Sequence, residues 1–238
     1  MKNFFVAGLL CLVLIAGSSF FSAPSLIEKL SATMVSKQVQ GGKSVTIKGE
    51  IYYTHDGNMI TNFTFPKMYV VVSNRLGEIK LYDPANNTVL QYQNFLFSTQ
   101  SSQFYYFLSG KIADMGLSDV GYVQEKTYPE NSKLVSVWKL KTPDKKSLIQ
   151  RVKLVYQGQK PVYMHYEDGA GKILRKVFYY NYTQIESNSF PNTTTEIVYD
   201  GGDSTVTKTT FSEFKFNQQA NSQYFNFRIP SNAKIEKQ

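Results

Sequence analysis

The sequence predicts a mainly β (α+β) protein whose antiparallel strands curl into a barrel or a deeply bent sheet. Three observations carry that expectation. Stretches of alternating apolar and polar residues recur along most of the chain, separated by Gly, Pro, Asn and Asp turns. Aromatic residues are abundant, with 17 Tyr and 17 Phe in 238 residues, and such side chains fit a pleated, half-buried surface. The stretches number roughly eleven or twelve, more than one flat sheet holds without curling. One domain, over 24–238, is enough at this length, because β-barrels and sandwiches often reach it singly.

Residues 1–23 read as a signal peptide. Lys2 precedes an apolar core from Phe4 to Ile15, and Ala16, Gly17 and Ser18 offer a processing site, with cleavage expected after Ser18 or Ser19. Cys11, the only cysteine, lies inside that core behind Leu10, so it is expected to be discarded unlipidated, leaving the mature protein without thiol or disulfide. Export without disulfides suggests a bacterial envelope protein.

Over 24–40 the expectation is an amphipathic helix, with Ile27, Leu30 and Met34 on one stripe, Pro24-Ser25 at its start and Gly41-Gly42 at its end. A first meander follows over 43–93. Val45, Ile47, Ile51 and Tyr53 alternate with polar neighbours, and turns fall at His55 to Asn58, Pro66, Asn74 to Gly77 and Asp83 to Asn87. Met68 to Val72 is apolar on both faces and must be covered on each. The strand pattern fades over 98–132. There one short helix is expected near Ser102 to Leu108 and another near Lys111 to Leu117, a connection long enough to act as a lid. Strands return over 133–229: Leu134–Leu140, Leu148–Tyr156, Val162–Tyr166, Ile173–Tyr182, a hairpin of Thr194–Tyr199 with Thr205–Phe211, and a closing alternation of Phe225, Phe227 and Ile229.

Catalysis finds little support. Two histidines and no mature cysteine leave no spaced metal cluster and no nucleophile pair, and GxSxG, P-loop and GxGxxG motifs are missing. No enzyme activity, cofactor or metal is expected. The net charge is +8, with acidic and basic residues interleaved except for one basic region holding Lys139, Lys141, Lys145, Lys146, Arg151 and Lys153. That region could dock an anionic membrane or an acidic partner at roughly 1 kcal/mol per charge, although a solvated hairpin is the preferred account of it. Nucleic acid is not an expected partner.

The order of parts resembles the LolA-like outer-membrane lipoprotein carriers and lipoprotein-sorting proteins. The resemblance lies in the helix, then KGEIYY from Lys48, the stretch Ser73 to Tyr92 with Gly77 and Tyr82-Asp83-Pro84, and the closing segment Phe211 to Ile235. It implies an unclosed β-barrel whose concave apolar face is covered by a helical lid and holds the acyl chains of a lipoprotein, or of another lipid, crossing the periplasm. It also implies an inner-membrane lipoprotein-releasing transporter and an outer-membrane acceptor as partners of a monomeric carrier. By alternation, Ile47, Ile51, Tyr53, Phe63, Phe65, Val70, Val72 and Leu81 are placed on the concave face, with Phe104, Phe107 and Leu108 on the lid. One departure stands out. Carriers of this kind have an arginine shortly after the first strand that fastens the lid, whereas this chain reads Tyr53-Thr54-His55-Asp56. A lipid-sensing regulator on the same fold and an outer-membrane β-barrel remain as alternatives.

Overall fold

The computed structural model describes residues 27–74, 78–93, 103–142, 147–185 and 188–236. In chain order the strands are β1 (Lys29–Gln40), β2 (Lys43–Thr54), β3 (Met59–Phe65), β4 (Tyr69–Ser73), β5 (Glu78–Asp83) and β6 (Thr88–Gln93). After the short helix α1 (Gln103–Leu108) come β7 (Tyr122–Glu130), β8 (Lys133–Leu140), β9 (Arg151–Gln157), β10 (Lys160–Glu167), β11 (Ile173–Ile185), β12 (Asn188–Asp200), β13 (Asp203–Phe216) and β14 (Lys234–Glu236). All fourteen join one sheet in the order β14-β6-β5-β4-β3-β2-β1-β13-β12-β11-β10-β9-β8-β7. Every pairing is antiparallel except β14 with β6, and β14 and β7 are its two ends, so the barrel is not closed.

The expected helix over 24–40 is corrected. Lys29–Gln40 is a strand at the middle of the sheet, paired along its length with β2 and with β13, while 24–26 lie outside the described residues. Leu30, Ala32, Met34 and Ser36 face inward. Because Ala32 and Ser36 are small or polar, the larger residues Ile27, Leu30 and Met34 stand out at helical spacing, and strand pairing on both sides overrides that local preference. Gly41 and Gly42 therefore do not stop a helix. With φ of +53° and +74° they make the tight β1–β2 turn, a conformation open to glycine.

Two further expectations change. Tyr122–Glu130, expected within the lid segment, is the edge strand β7; its Glu125-Lys126 bulge and Pro129 blunt the edge against pairing and hide the alternation that marks other strands. Phe225, Phe227 and Ile229 are not a strand. A 3-10 turn at Gln223–Asn226 and an extended segment lay them, with Tyr224, on the outer face of the sheet against Tyr52, Ile60, Val70 and Tyr82. Tyr224 stacks on Tyr52 at 5.1 Å and Phe225 meets the same ring edge-on at 5.4 Å. This closing segment is the second layer that the doubly apolar β4 requires.

Candidate functional site

The inner face of the sheet carries the larger apolar cluster, and α1 is seated on it. Ile51 and Tyr53 from β2 lie beside Leu30 and Met34 from β1, with Leu154 and Tyr156 from β9 and Phe190 and Phe211 from β12 and β13 completing the floor. The helix drives Phe104 and Phe107, one turn apart, into this floor, where they are 2% and 1% exposed. Phe104 packs between Phe190 and Phe211, 5.0 Å from each, with Tyr53 stacked at 6.5 Å. Phe107 meets Tyr179 and Phe190 edge-on at 5.7 Å.

Of the residues assigned to the cavity from the sequence, Ile47, Ile51, Tyr53, Phe63, Phe104, Phe107 and Leu108 come together here. Leu81 is half-buried on the same face, by its register with Val71 and Leu90, but lies beyond the cluster. Val70 and Val72 are corrected: they belong to the outer cluster under the closing segment. Phe65 is corrected too. A bulge between Lys48 and Gly49 pairs Phe65 with Lys48 while Phe63 stays opposite Gly49, so the two phenylalanines face opposite ways and Phe65 is left half exposed. At this bulge a Cβ on Gly49 would stand 2.6 Å from the Asn62 carbonyl oxygen, so only glycine admits such close strand approach.

No arginine follows Tyr53, and a polar link between the sheet and the segment after α1 is made by Tyr156 of β9. Its hydroxyl lies 3.0 Å from the Ile112 carbonyl and 2.8 Å from that of Ala113, in the 3-10 turn that follows α1, and donates to this pair. That single turn, Lys111–Ala113, is all that forms of the helix expected over Lys111 to Leu117. The rest is a loop pinned by Asp114, whose carboxylate accepts from the Gly116 and Ser118 amides and from the Ser118 hydroxyl. Those bonds hold the Asp114 carboxyl below its usual range against the opposing effect of burial. A Cβ on Gly116 would run into the Tyr106 ring, so ring and loop are closely fitted. Lys111 pairs with Asp119 and lies 5.6 Å above the Tyr105 ring. Burial raises the Tyr53, Tyr106, Tyr156 and Tyr179 phenols above the ordinary tyrosine value, which keeps the Tyr156 hydroxyl a donor at any physiological pH. Neither Tyr156 nor Phe190 stood out in the sequence, each being one aromatic among many, and Phe211 was marked there only as the start of the closing segment.

Where α1 ends, an open groove of about 650 Å³ runs along the rim of the sheet. Phe107, Ile112, Tyr179 and Tyr182 form its apolar side and the β9–β10 turn at Gly158 its outer lip. On the opposite, outer face a smaller cleft contains His165, placed between the Tyr163 hydroxyl at 3.0 Å and the Glu167 carboxylate at 2.7 Å. Burial, acting against the Glu167 carboxylate, lowers the His165 pKa. Lys139 and Arg151 both pair with Glu125, and Lys153 pairs with Glu130. Three of the six cations expected to dock a partner are thus paired internally, with two carboxylates between them; Lys141 is exposed, and Lys145 and Lys146 lie outside the described residues. Among the described residues, no group of three or more His, Cys, Asp or Glu side chains is placed to hold a metal.

The fold recurs in solved structures. A domain assigned to outer membrane lipoprotein sorting from Vibrio parahaemolyticus aligns with a TM-score of 0.58 and 18% identity, covering 83% of this chain and 89% of that one. A DUF1329 family protein from Desulfovibrio piger gives 0.59 and 15% over the same shares, 83% and 89%. A LolA superfamily protein from Nitrosomonas europaea gives 0.56 and 13%, covering 81% and 87%. A scan of family models finds no match, and neither does a comparison with curated proteins. At these identities the likeness is one of fold: this chain has the unclosed half-barrel of LolA-superfamily structures.

Proposed function

We propose that this protein is an exported, non-enzymatic carrier that shields the acyl chains of a lipoprotein, or of another lipid, between the inner and outer membranes of a bacterial periplasm. The observation that carries this reading is the plug: a short helix fills the aromatic inner face of an unclosed half-barrel with two phenylalanines. An acyl chain can take the place of those rings, because both are apolar and the sheet beneath is continuous.

The energies are matched in scale. Lifting two buried Phe rings costs about 3–6 kcal/mol, at 1.5–3 kcal/mol each. Each methylene that replaces them returns about 0.8 kcal/mol, so roughly eight methylenes offset the opening and a longer chain gives net binding. Phe and Tyr suit such a surface because they offer large apolar area with few rotors to freeze. On this reading Ile47, Ile51, Tyr53 and Phe63 are the wall that acyl chains touch, α1 is the lid, and Tyr156 takes over the fastening that the missing arginine performs in similar carriers. An inner-membrane releasing transporter and an outer-membrane acceptor would then load and unload it.

Native mass spectrometry of the protein purified from its own periplasm tests the proposal. Bound lipid or lipoprotein is expected, or uptake of an added diacylated peptide. Consistent absence of both overturns it.

A further inference from the structure

We propose that the groove beside α1 is an entry site for an anionic amphiphile, with the headgroup at Lys160 and the tail against Phe107 and Tyr182; this deepens the carrier reading and rests on it. The volume of about 650 Å³ is that of a small-molecule site. Its floor is not separate from the lidded core. Phe107 lines the groove and, at 1% exposed, is also one of the two rings that plug the inner face. A chain lying in the groove therefore touches the very side chain that must move for it to pass beneath the lid.

The rim sets the headgroup chemistry. Gln157, Gln159, Asn181, Asn188 and Ser189 offer uncharged polar groups, and among the described lining residues Lys160 is the single charged one. Lys160 extends its ammonium over the Tyr182 ring, 5.3 Å from the centroid, at the junction of polar rim and aromatic floor. It has no carboxylate partner among the described residues, whereas Lys67, Lys111, Lys139, Arg151 and Lys153 each have one. A cation with no carboxylate partner among the described residues, at the edge of an apolar trough, suits a ligand with an anionic head and an alkyl tail.

The intact protein is titrated, by fluorescence, with dansylaminoundecanoic acid and with its uncharged methyl ester. The acid is expected to bind about fivefold more tightly, the value of one cation near an anionic group. Lys160→Gln, at an exposed position, removes that difference. Asn188→Trp, which fills the groove, weakens both probes, and Lys126→Gln on the outer face changes neither. Competition by decanoate against lysophosphatidic acid distinguishes a carboxylate head from a phosphate head. Equal binding of acid and ester, or a preference that survives Lys160→Gln, overturns the proposal while leaving the carrier reading intact. Failure of both probes to bind the wild-type protein overturns the two together.

Discussion

Replacing Tyr156 by Phe isolates the fastening of the lid. The ring stays and, being 7% exposed, continues to pack, so the change removes one hydroxyl and nothing else from the floor. What is lost is the donor shared by the Ile112 and Ala113 carbonyls at 3.0 and 2.8 Å. A net hydrogen bond is worth about 1 kcal/mol, and because Ala113 is exposed and Ile112 only half-buried, water can reach the carbonyls and no full penalty for a buried acceptor is added. Taking about 1.4 kcal/mol as the effect on lid seating, the opening equilibrium rises roughly tenfold. Hydrogen exchange reads this directly: amides over 104–117 should exchange about tenfold faster, with those of β12 and β13 unchanged. Such a pattern marks a local opening, distinct from global unfolding. Wild-type exchange in the lid, or equal acceleration in every peptide, would refute the assignment of Tyr156 as a latch.

Three more outcomes are expected. Phe190→Ala, in β12 beneath the plug, should lower stability in urea by about 3–5 kcal/mol, while Phe107→Ala, in the lid, should cost less and speed probe uptake; the reverse order would argue against a detachable lid. The buried phenols Tyr53, Tyr156 and Tyr179 are raised in the folded state, so their contribution to stability is intact below the unfolded value near pH 10 and is lost above it, by about 1.4 kcal/mol per pH unit for each group still protonated. Melts from pH 8 to 11.5 should be flat and then fall, and a curve level to the end would contradict the burial. Ending the chain after Ser222 removes Tyr224, Phe225, Phe227 and Ile229 from the outer face and should raise binding of an apolar dye by exposing Tyr52, Ile60, Val70 and Tyr82. Unchanged dye fluorescence would mean that this layer is dispensable.

Much of the architecture is legible from local pattern. The alternation in Ser44 to Tyr53, the glycine turn at Asp200 to Asp203 and the aromatic helix ending at Leu108 all lie where the residue types place them. β1 was not legible, because Ala32 and Ser36 dilute its inward row until Ile27, Leu30 and Met34 match a helix better. β7 was hidden for the opposite reason, since an exposed edge strand has little apolar periodicity to show. The arginine missing after Tyr53 was plain in the sequence, yet the hydrogen bonds of Tyr156 to the segment after α1 were not. Tyr156 lies about a hundred residues away from that position, and only the pairing of β9 within the sheet brings its hydroxyl to the Ile112 turn.

The sequence by itself determined that this chain is mainly antiparallel β structure, two meanders divided by a helical segment, with abundant apolar wall. Which wall faces which way was decided by tertiary structure. Alternation fixes only the parity of neighbours along one strand, and each bulge reverses it. The bulge at Gly49 sent Phe65 outward, and strand register placed Val70 and Val72 beneath the closing segment while Phe63 stayed inside. The seating of α1 on the inner face then filled the half-barrel wall with two phenylalanines, because there β1, β2, β9, β12 and β13 present their apolar sides to a common space.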